Sequence, residues 1–373
     1  MKKRWLLFIL LLLLPSLTLS EEREPPEELS AILSALDLSE WDRWAERNDP
    51  ELGFVPSDFL QTALLSGSAE PSAETLYGRI RSTVMRHAAA ALRKLMLYLG
   101  IGVLFSLFSA IRPDSGFQPP ETVLRLLSGC FVMSMSLPVL SETRSLLITI
   151  GTDAEYLLPP LLGFFALFDF SASGALLRPG MLLLNDGMIA LVIKLVFPLA
   201  VIGGVLHAAD CFSDRRLGSL GQFCHRAAKW LLGAGTSLYL AVAALRGTVA
   251  VQSDTLLFRT TKLAAGSLPF VGGIVSGSMD TLLQCVMSVR AALGLTGIVL
   301  IGGVMLRPLL RLITERIALQ LCAALIAPLG VQAYAETLEH TADLFRIASA
   351  SLLMVFVLAA VSVGLVTGVW YSI

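Results

Sequence analysis

Apolar runs recur along most of this chain, at 95–111, 123–140, 157–168, 181–206, 230–250, 291–306, 317–335 and 347–369. A bilayer core is about 30 Å thick and takes about 20 apolar helical residues. Most of these runs meet or approach that length. In hydrocarbon, each segment has to satisfy its own backbone polar groups, and runs of this kind do so as helices. The composition agrees. The chain is 55% hydrophobic and 15% charged, whereas soluble domains carry about 25% charged residues. Its mean hydropathy is +0.74. The expected fold class is all-α: a polytopic integral membrane helical bundle with a small helical exported N-terminal region and one or two re-entrant or broken elements. The formal net charge is −1. No basic domain points to nucleic acid.

The chain opens Met1-Lys2-Lys3-Arg4, then an apolar run, then Ser-Leu-Thr-Leu-Ser and Glu21-Glu22. This is the layout of a secretory signal peptide over 1–20. It is either cleaved after Ser20 or kept as an anchor, and in both cases the following segment is exported. Residues 21–71 form a short polar region. In it Leu29, Ile32, Leu33 and Leu36 recur at helical spacing, followed by Trp41 and Trp44. One or two short amphipathic helices are expected there, then another element from Pro56 to Leu65. So small a region has little core of its own and is expected to pack on the membrane domain or on a partner. Residues 72–94 read as an amphipathic juxtamembrane helix capped by Ser72 and carrying Arg79, Arg81, Arg86, Arg93 and Lys94. Its basic face suits anionic lipid headgroups or plain solvation. The remainder, 95–373, is the polytopic membrane domain.

The run at 157–168 is too short to span, and Pro159-Pro160 interrupts helical hydrogen bonding there. Loop charges bear on its role. If every run crosses, the intervals 207–229 (Arg215, Arg216, Arg226, Lys229) and 307–316 (Arg307, Arg311, Arg316) lie outside. The acidic interval 336–346 (Glu336, Glu339, Asp343) then lies inside, and all three break the positive-inside rule. Treating 157–168 as a half-span reverses all three. The expectation is therefore about seven spans plus a half-span, with the C-terminus inside.

No catalytic constellation is present. The chain has no GxSxG and no HExxH, and its Gly-rich stretch lacks the Gly-Lys-Ser/Thr of a P-loop. Cys211 and Cys224 share an interval with His207 and His225. They form no CxxC or HxxxH pair, so a plain loop is favoured over a metal site. No cofactor is expected, and the non-enzymatic reading leads. Ionisable groups in apolar runs are costly and tend to face a bundle interior. Asp186 and Lys194, eight residues apart in one run, are the candidates. They suit either a polar pathway or a structural role.

The most polar stretch between two apolar runs is RTTKLAAGSLPFVGGIVSGSMDT, 259–281. It lies outside the cytoplasm in the half-span topology, as a loop with a re-entrant or tightly packed turn. Arg259-Thr260, Lys262-Leu-Ala-Ala-Gly-Ser-Leu-Pro-Phe-Val-Gly-Gly273, Ser276-Gly-Ser-x-Asp-Thr281 and Ala327-Pro-Leu-Gly330 resemble the signature of the stage III sporulation protein AE family. LDLSEWDRW and PSDFLQTALLSG in the N-terminal region add to the likeness. Ser267 stands where that family often has Asn. The resemblance implies a membrane subunit in the mother-cell-derived outer forespore membrane. Its partners would be other stage III A sporulation proteins, a forespore membrane partner and membrane lipids. The assembly would be a transenvelope channel or secretion-like complex needed for forespore development. The resemblance supplies no catalytic residues. Arg259, Lys262, Gly266, Pro269, Gly272, Gly273 and Asp280, within the matching stretch, are the candidate motif residues. A self-contained secondary transporter and a purely structural anchor are the competing readings.

Overall fold

The computed structural model describes residues 38–48, 55–65, 70–110, 127–149, 184–210, 217–266 and 272–367. Every regular element among them is helical. The short helices expected in the N-terminal region are α1 (Ser39–Asn48) and α2 (Pro56–Leu65). Trp41 and Trp44, three apart, share one face of α1 and are fully buried. A Cβ built on Gly297 would lie 3.6 Å from the Trp41 ring, and α2 also packs against the helix that carries Gly297. The N-terminal helices thus complete their core on the bundle, because they are too small to hold one alone.

Six longer helices follow. α3 is Glu70–Ala110, starting two residues before Ser72. It joins the basic amphipathic segment and the first apolar run in one continuous helix. α4 covers 127–149. α5 covers 184–209, with a π turn at Val192–Val196. Pro198 has no N–H for the carbonyl four residues back, and the wider turn just before it absorbs the mismatch. α6 is Leu217–Gly266, α7 is Gly272–Ile326 and α8 is Gln332–Thr367. Five helices among the described residues are long and apolar enough to cross a membrane: Arg81–Leu107, Leu184–His207, Gly218–Ala244, Ala292–Leu329 and Gln332–Gly364.

Three intervals differ from the expectation. Residues 307–316 are the middle of α7, which runs on through Pro308. Residues 336–346 lie inside α8. Most of 207–229 is helical too, since α5 ends at Ala209 and α6 starts at Leu217. Charge density signalled loops, but Lys229, Arg311 and Asp343 form ion pairs with other helices, and the helices continue through the charged intervals. The sidedness argument built on loops therefore loses its basis. Of the stretch 259–281, Arg259–Gly266 ends α6 and Gly272–Thr281 begins α7, so it is mostly helix and not loop. Residues 267–271, the half-span at 157–168 and the leader at 1–20 lie outside the described residues.

α7 and α8 form the most extensive pair. Ala327-Pro-Leu-Gly330 turns between them as a 3-10 turn closed by Gly330 at φ 83°, a left-handed conformation that glycine adopts without strain. α3 lies along this hairpin. Gly102 lets Ile326 and Tyr334 approach, the Tyr334 hydroxyl donates to the Tyr98 carbonyl at 3.1 Å, and Ser106 donates to the Leu329 carbonyl at 3.1 Å. α5 and α6 pack on each other and both pack on α8. Buried hydroxyls of Ser136, Thr143, Thr341 and Ser351 return to carbonyls four residues back in their own helices, which satisfies them without water. Tyr239 instead bridges helices. Its hydroxyl donates to the Leu358 carbonyl at 2.9 Å and meets Ser362 Oγ at 2.7 Å.

Interhelical hydrogen bonds in membrane proteins average about 0.6 kcal/mol and reach about 1.7 kcal/mol. Tyr239→Phe should lower the stability of the detergent-purified protein within that range, with Ser362→Ala costing less. Thermal unfolding followed by circular dichroism checks this; an unchanged midpoint for Tyr239→Phe counts against the bridge.

Candidate functional site

α7 carries Arg311, Glu315 and Arg316 within two turns. Residues four apart share a helix face, and the next residue turns away by about 100°. Arg311 pairs with Glu142 of α4. Glu315 is buried and accepts from Lys94 of α3. Arg316, the next residue, is half-buried. Its Nε is buried and has no hydrogen-bond partner among the described residues. One stretch of α7 thereby engages α3 and α4.

Asp343 extends the network. Lys229 of α6 lies 3.2 Å from one carboxylate oxygen, and Arg346 lies 3.7 Å from the other. One turn earlier on α8, the His340 ring stacks on His207 of α5, with centroids 3.7 Å apart and 9° between planes. His225 of α6 lies 5.5 Å from His207, and its Nε2 is 3.1 Å from the Ala200 carbonyl oxygen. A protonated Nε2 donates there. His207 Nε2 is buried without a hydrogen-bond partner among the described residues. Three of the chain's four histidines thus meet on three helices.

Glycine makes this meeting possible. Gly203 is four residues before His207, and Gly221 is four before His225. A Cβ on Gly203 would come within 2.4 Å of the His225 ring, and one on Gly221 within 2.9 Å of the His207 ring. The Gly203 carbonyl oxygen would be 2.9 Å from that second Cβ. Two Gly-x-x-x-His segments therefore cross reciprocally, each imidazole lying on the other helix's glycine. Small residues permit this close backbone approach.

The outcome is a belt to which each of α3–α8 contributes an ionisable group. Such groups are expensive among apolar helices unless paired, and this belt pairs most of them. Its geometry does not suit a metal ion. Stacked rings hold their lone pairs in near-parallel planes, and no set of three His, Cys, Asp or Glu among the described residues could hold one. Cys224 is half-buried and free, and Cys211 lies outside the described residues.

The residues singled out in the sequence lie elsewhere. Asp186 and Lys194 are exposed on α5, with Lys194 on the π turn. The buried polar group beside them is Asn185, whose Oδ1 has no partner among the described residues. Arg259, Lys262 and Gly266 lie in the last turns of α6, and Gly272, Gly273 and Asp280 in the first turns of α7. Their side chains, and all of Pro269, lie outside the described part. Arg259 is about 45 Å from Lys229 along α6, at 1.5 Å per residue. The belt went unread because its charges looked like loop charges. The doubled Gly-x-x-x-His spacing is the sequence signal that could have located its histidines.

Removing one partner of a buried ion pair leaves an uncompensated charge and costs about 3–5 kcal/mol. Lys94 is partly exposed, so Lys94→Met should cost about 2–3 kcal/mol after that discount. Glu142→Gln, in a more exposed pair, should cost below about 1 kcal/mol. Thermal unfolding in detergent gives the order; the reverse order would refute the assignment of Glu315 as the belt's buried anchor.

Comparison with known proteins places the chain. A stage III sporulation protein AE of Bacillus subtilis (strain 168) is 23% identical over 176 residues, which cover 47% of this chain and 44% of that relative. The matched region is thus less than half of the relative's length. No solved structure matches the chain. The family model of stage III sporulation protein AE matches residues 55–369, from α2 to the end of the bundle, and the chain belongs to that family.

Proposed function

We propose that the protein is a non-enzymatic membrane subunit of the mother-cell stage III A assembly. With a forespore membrane partner, this assembly forms a transenvelope channel or secretion-like complex needed for forespore development. The protein resides in the outer forespore membrane, with its N-terminal region exported. Family membership supports the sporulation role. The observation that carries the assembly reading is the length of α6 and α7. They have 50 and 55 residues, about 75 and 82 Å of helix, against a hydrocarbon core of about 30 Å. Both continue beyond their apolar spans, and the family-like stretch lies at the ends that continue. Helices of that reach suit contact with proteins outside the bilayer.

A self-contained secondary transporter would use ionisable groups along an interior path. Asp186 and Lys194 face outward instead, which weakens that reading.

Affinity capture of the tagged full chain from sporulating cells tests the proposal. Other stage III A proteins and a forespore membrane protein should be recovered. Like-charge juxtaposition at an interface costs several kcal/mol. Replacing both Arg259 and Lys262 by Glu should therefore cut recovery and spore yield more than about tenfold at an unchanged membrane level. Capture that returns no stage III A protein would sink the assembly reading.

A further inference from the structure

His207, His225 and His340 come together from α5, α6 and α8, and the packing around them fits neutral rings. His207 and His340 stack face to face, with centroids 3.7 Å apart and 9° between planes. Two protonated rings at that separation repel each other, because no solvent fits between them to screen the charge. An imidazolium also carries two N–H donors, and each needs an acceptor when buried. His207 Nε2 is buried with no hydrogen-bond partner among the described residues. His225 Nε2 has the Ala200 carbonyl at 3.1 Å, a bond that the neutral ring already makes. The glycine crossing leaves no space for a water on that side. A Cβ on Gly203 would lie 2.4 Å from the His225 ring, and one on Gly221 2.9 Å from the His207 ring.

The charges on the surrounding helices offset one another. On α8, Asp343 is held by Lys229 of α6 at 3.2 Å and by Arg346 at 3.7 Å, and Glu336 and Glu339 are exposed. At the end of α5, Asp210 lies against α6, where a Cβ on Gly218 would be 2.5 Å from its carboxylate. On α6, Arg226 follows His225 and is exposed. On α7, Arg316 lies as far before the turn to α8 as His340 lies after it. From α4 comes the apolar Met133, 3.3 Å from a Cβ on Gly204. Protons from water can reach the rings. The apolar stretch of α5 ends at His207, and those of α6 and α8 begin at Gly218 and Gln332. All three histidines therefore lie within about 12 Å of an end of their apolar stretch, and His340 is half-buried.

We propose that these three histidines form a proton-sensitive joint between α5, α6 and α8. When the rings are neutral, the stack and the glycine crossing close and the three helices pack as described. In acid, a proton enters at His340, the stack loses its fit, and α5 and α8 separate at this level. Imidazole charges between about pH 5 and 8, and protonated histidine clusters open interfaces in other proteins. The unfolded chain takes up protons on these histidines near about pH 6.5, whereas the closed joint excludes them. Stability is therefore full above that pH and is lost as the pH falls below it.

The test is the unfolding temperature of the full-length protein in neutral detergent, followed by circular dichroism from about pH 7.5 to about pH 5.5. It should fall by about 2 °C or more across that range. His340→Phe keeps a ring in the stack that cannot take a proton, so the fall should shrink by about half or more. His340→Gln should shrink it likewise, from a lower starting value, and keeps the test open should His340→Phe fail to fold. His87→Gln, on α3, should leave the fall unchanged. A stack with a structural role alone would lose the same stability at every pH when His340 is replaced. A constant unfolding temperature in the wild type would overturn the proposal. So would a full fall in either folded His340 variant, or loss of the fall in His87→Gln.

Discussion

A charge placed among apolar helices must find an opposite charge or a hydrogen bond, and that requirement fixes where these helices meet. Glu315 is buried. Without Lys94 it would be an uncompensated carboxylate, so α3 is held against α7 at that level. Asp343, which is more exposed, adds a weaker contact between α6 and α8 through Lys229. Apolar packing alone gives little register between helices, because lipid tails are as apolar as leucine side chains. The ionic contacts and the Gly203–Gly221 crossing supply the register that the leucines cannot.

The belt falls within the long apolar stretches of α7 and α8. Their apolar stretches cover 38 and 33 residues, about 57 and 50 Å at 1.5 Å per residue. One hydrocarbon core covers about 30 Å. The belt divides that length. On one side Gly297 and Gly302 of α7 meet Val363 and Phe356 of α8. On the other, the hairpin closes at Gly330 against Tyr98 and Gly102 of α3.

The sequence makes the helical membrane class plain, because apolar runs with few charges leave the backbone no other economical choice. It also makes the small N-terminal helices legible: the Trp41 and Trp44 spacing and the Pro56 start are local signals. The belt is not legible in the same way. Arg311, Glu315 and Arg316 on one helix, and Glu339, Asp343 and Arg346 on another, look in sequence like two solvated loops of opposite sign. Their partners lie on other helices, Glu142 for Arg311, Lys94 for Glu315 and Lys229 for Asp343, more than a hundred residues away in sequence, and no local window contains them. Asp186 and Lys194 mislead for the complementary reason. A charge inside an apolar run signals a buried partner only if the helix turns that face inward, and α5 turns Asn185 inward instead.

The protein therefore separates two demands along the same pair of helices. In α6 the belt residues His225 and Lys229 fall in the first turns, and Arg259 and Lys262 fall near the end, about 45 Å away. In α7 the order is reversed, with Gly272 and Gly273 at the start and Arg311–Arg316 far along. In α7, Pro308 lies between the two sets, at a position where a helix can kink. The belt residues hold α6 and α7 within the bundle, and the family-like residues lie on the parts of the same two helices that continue beyond their apolar spans.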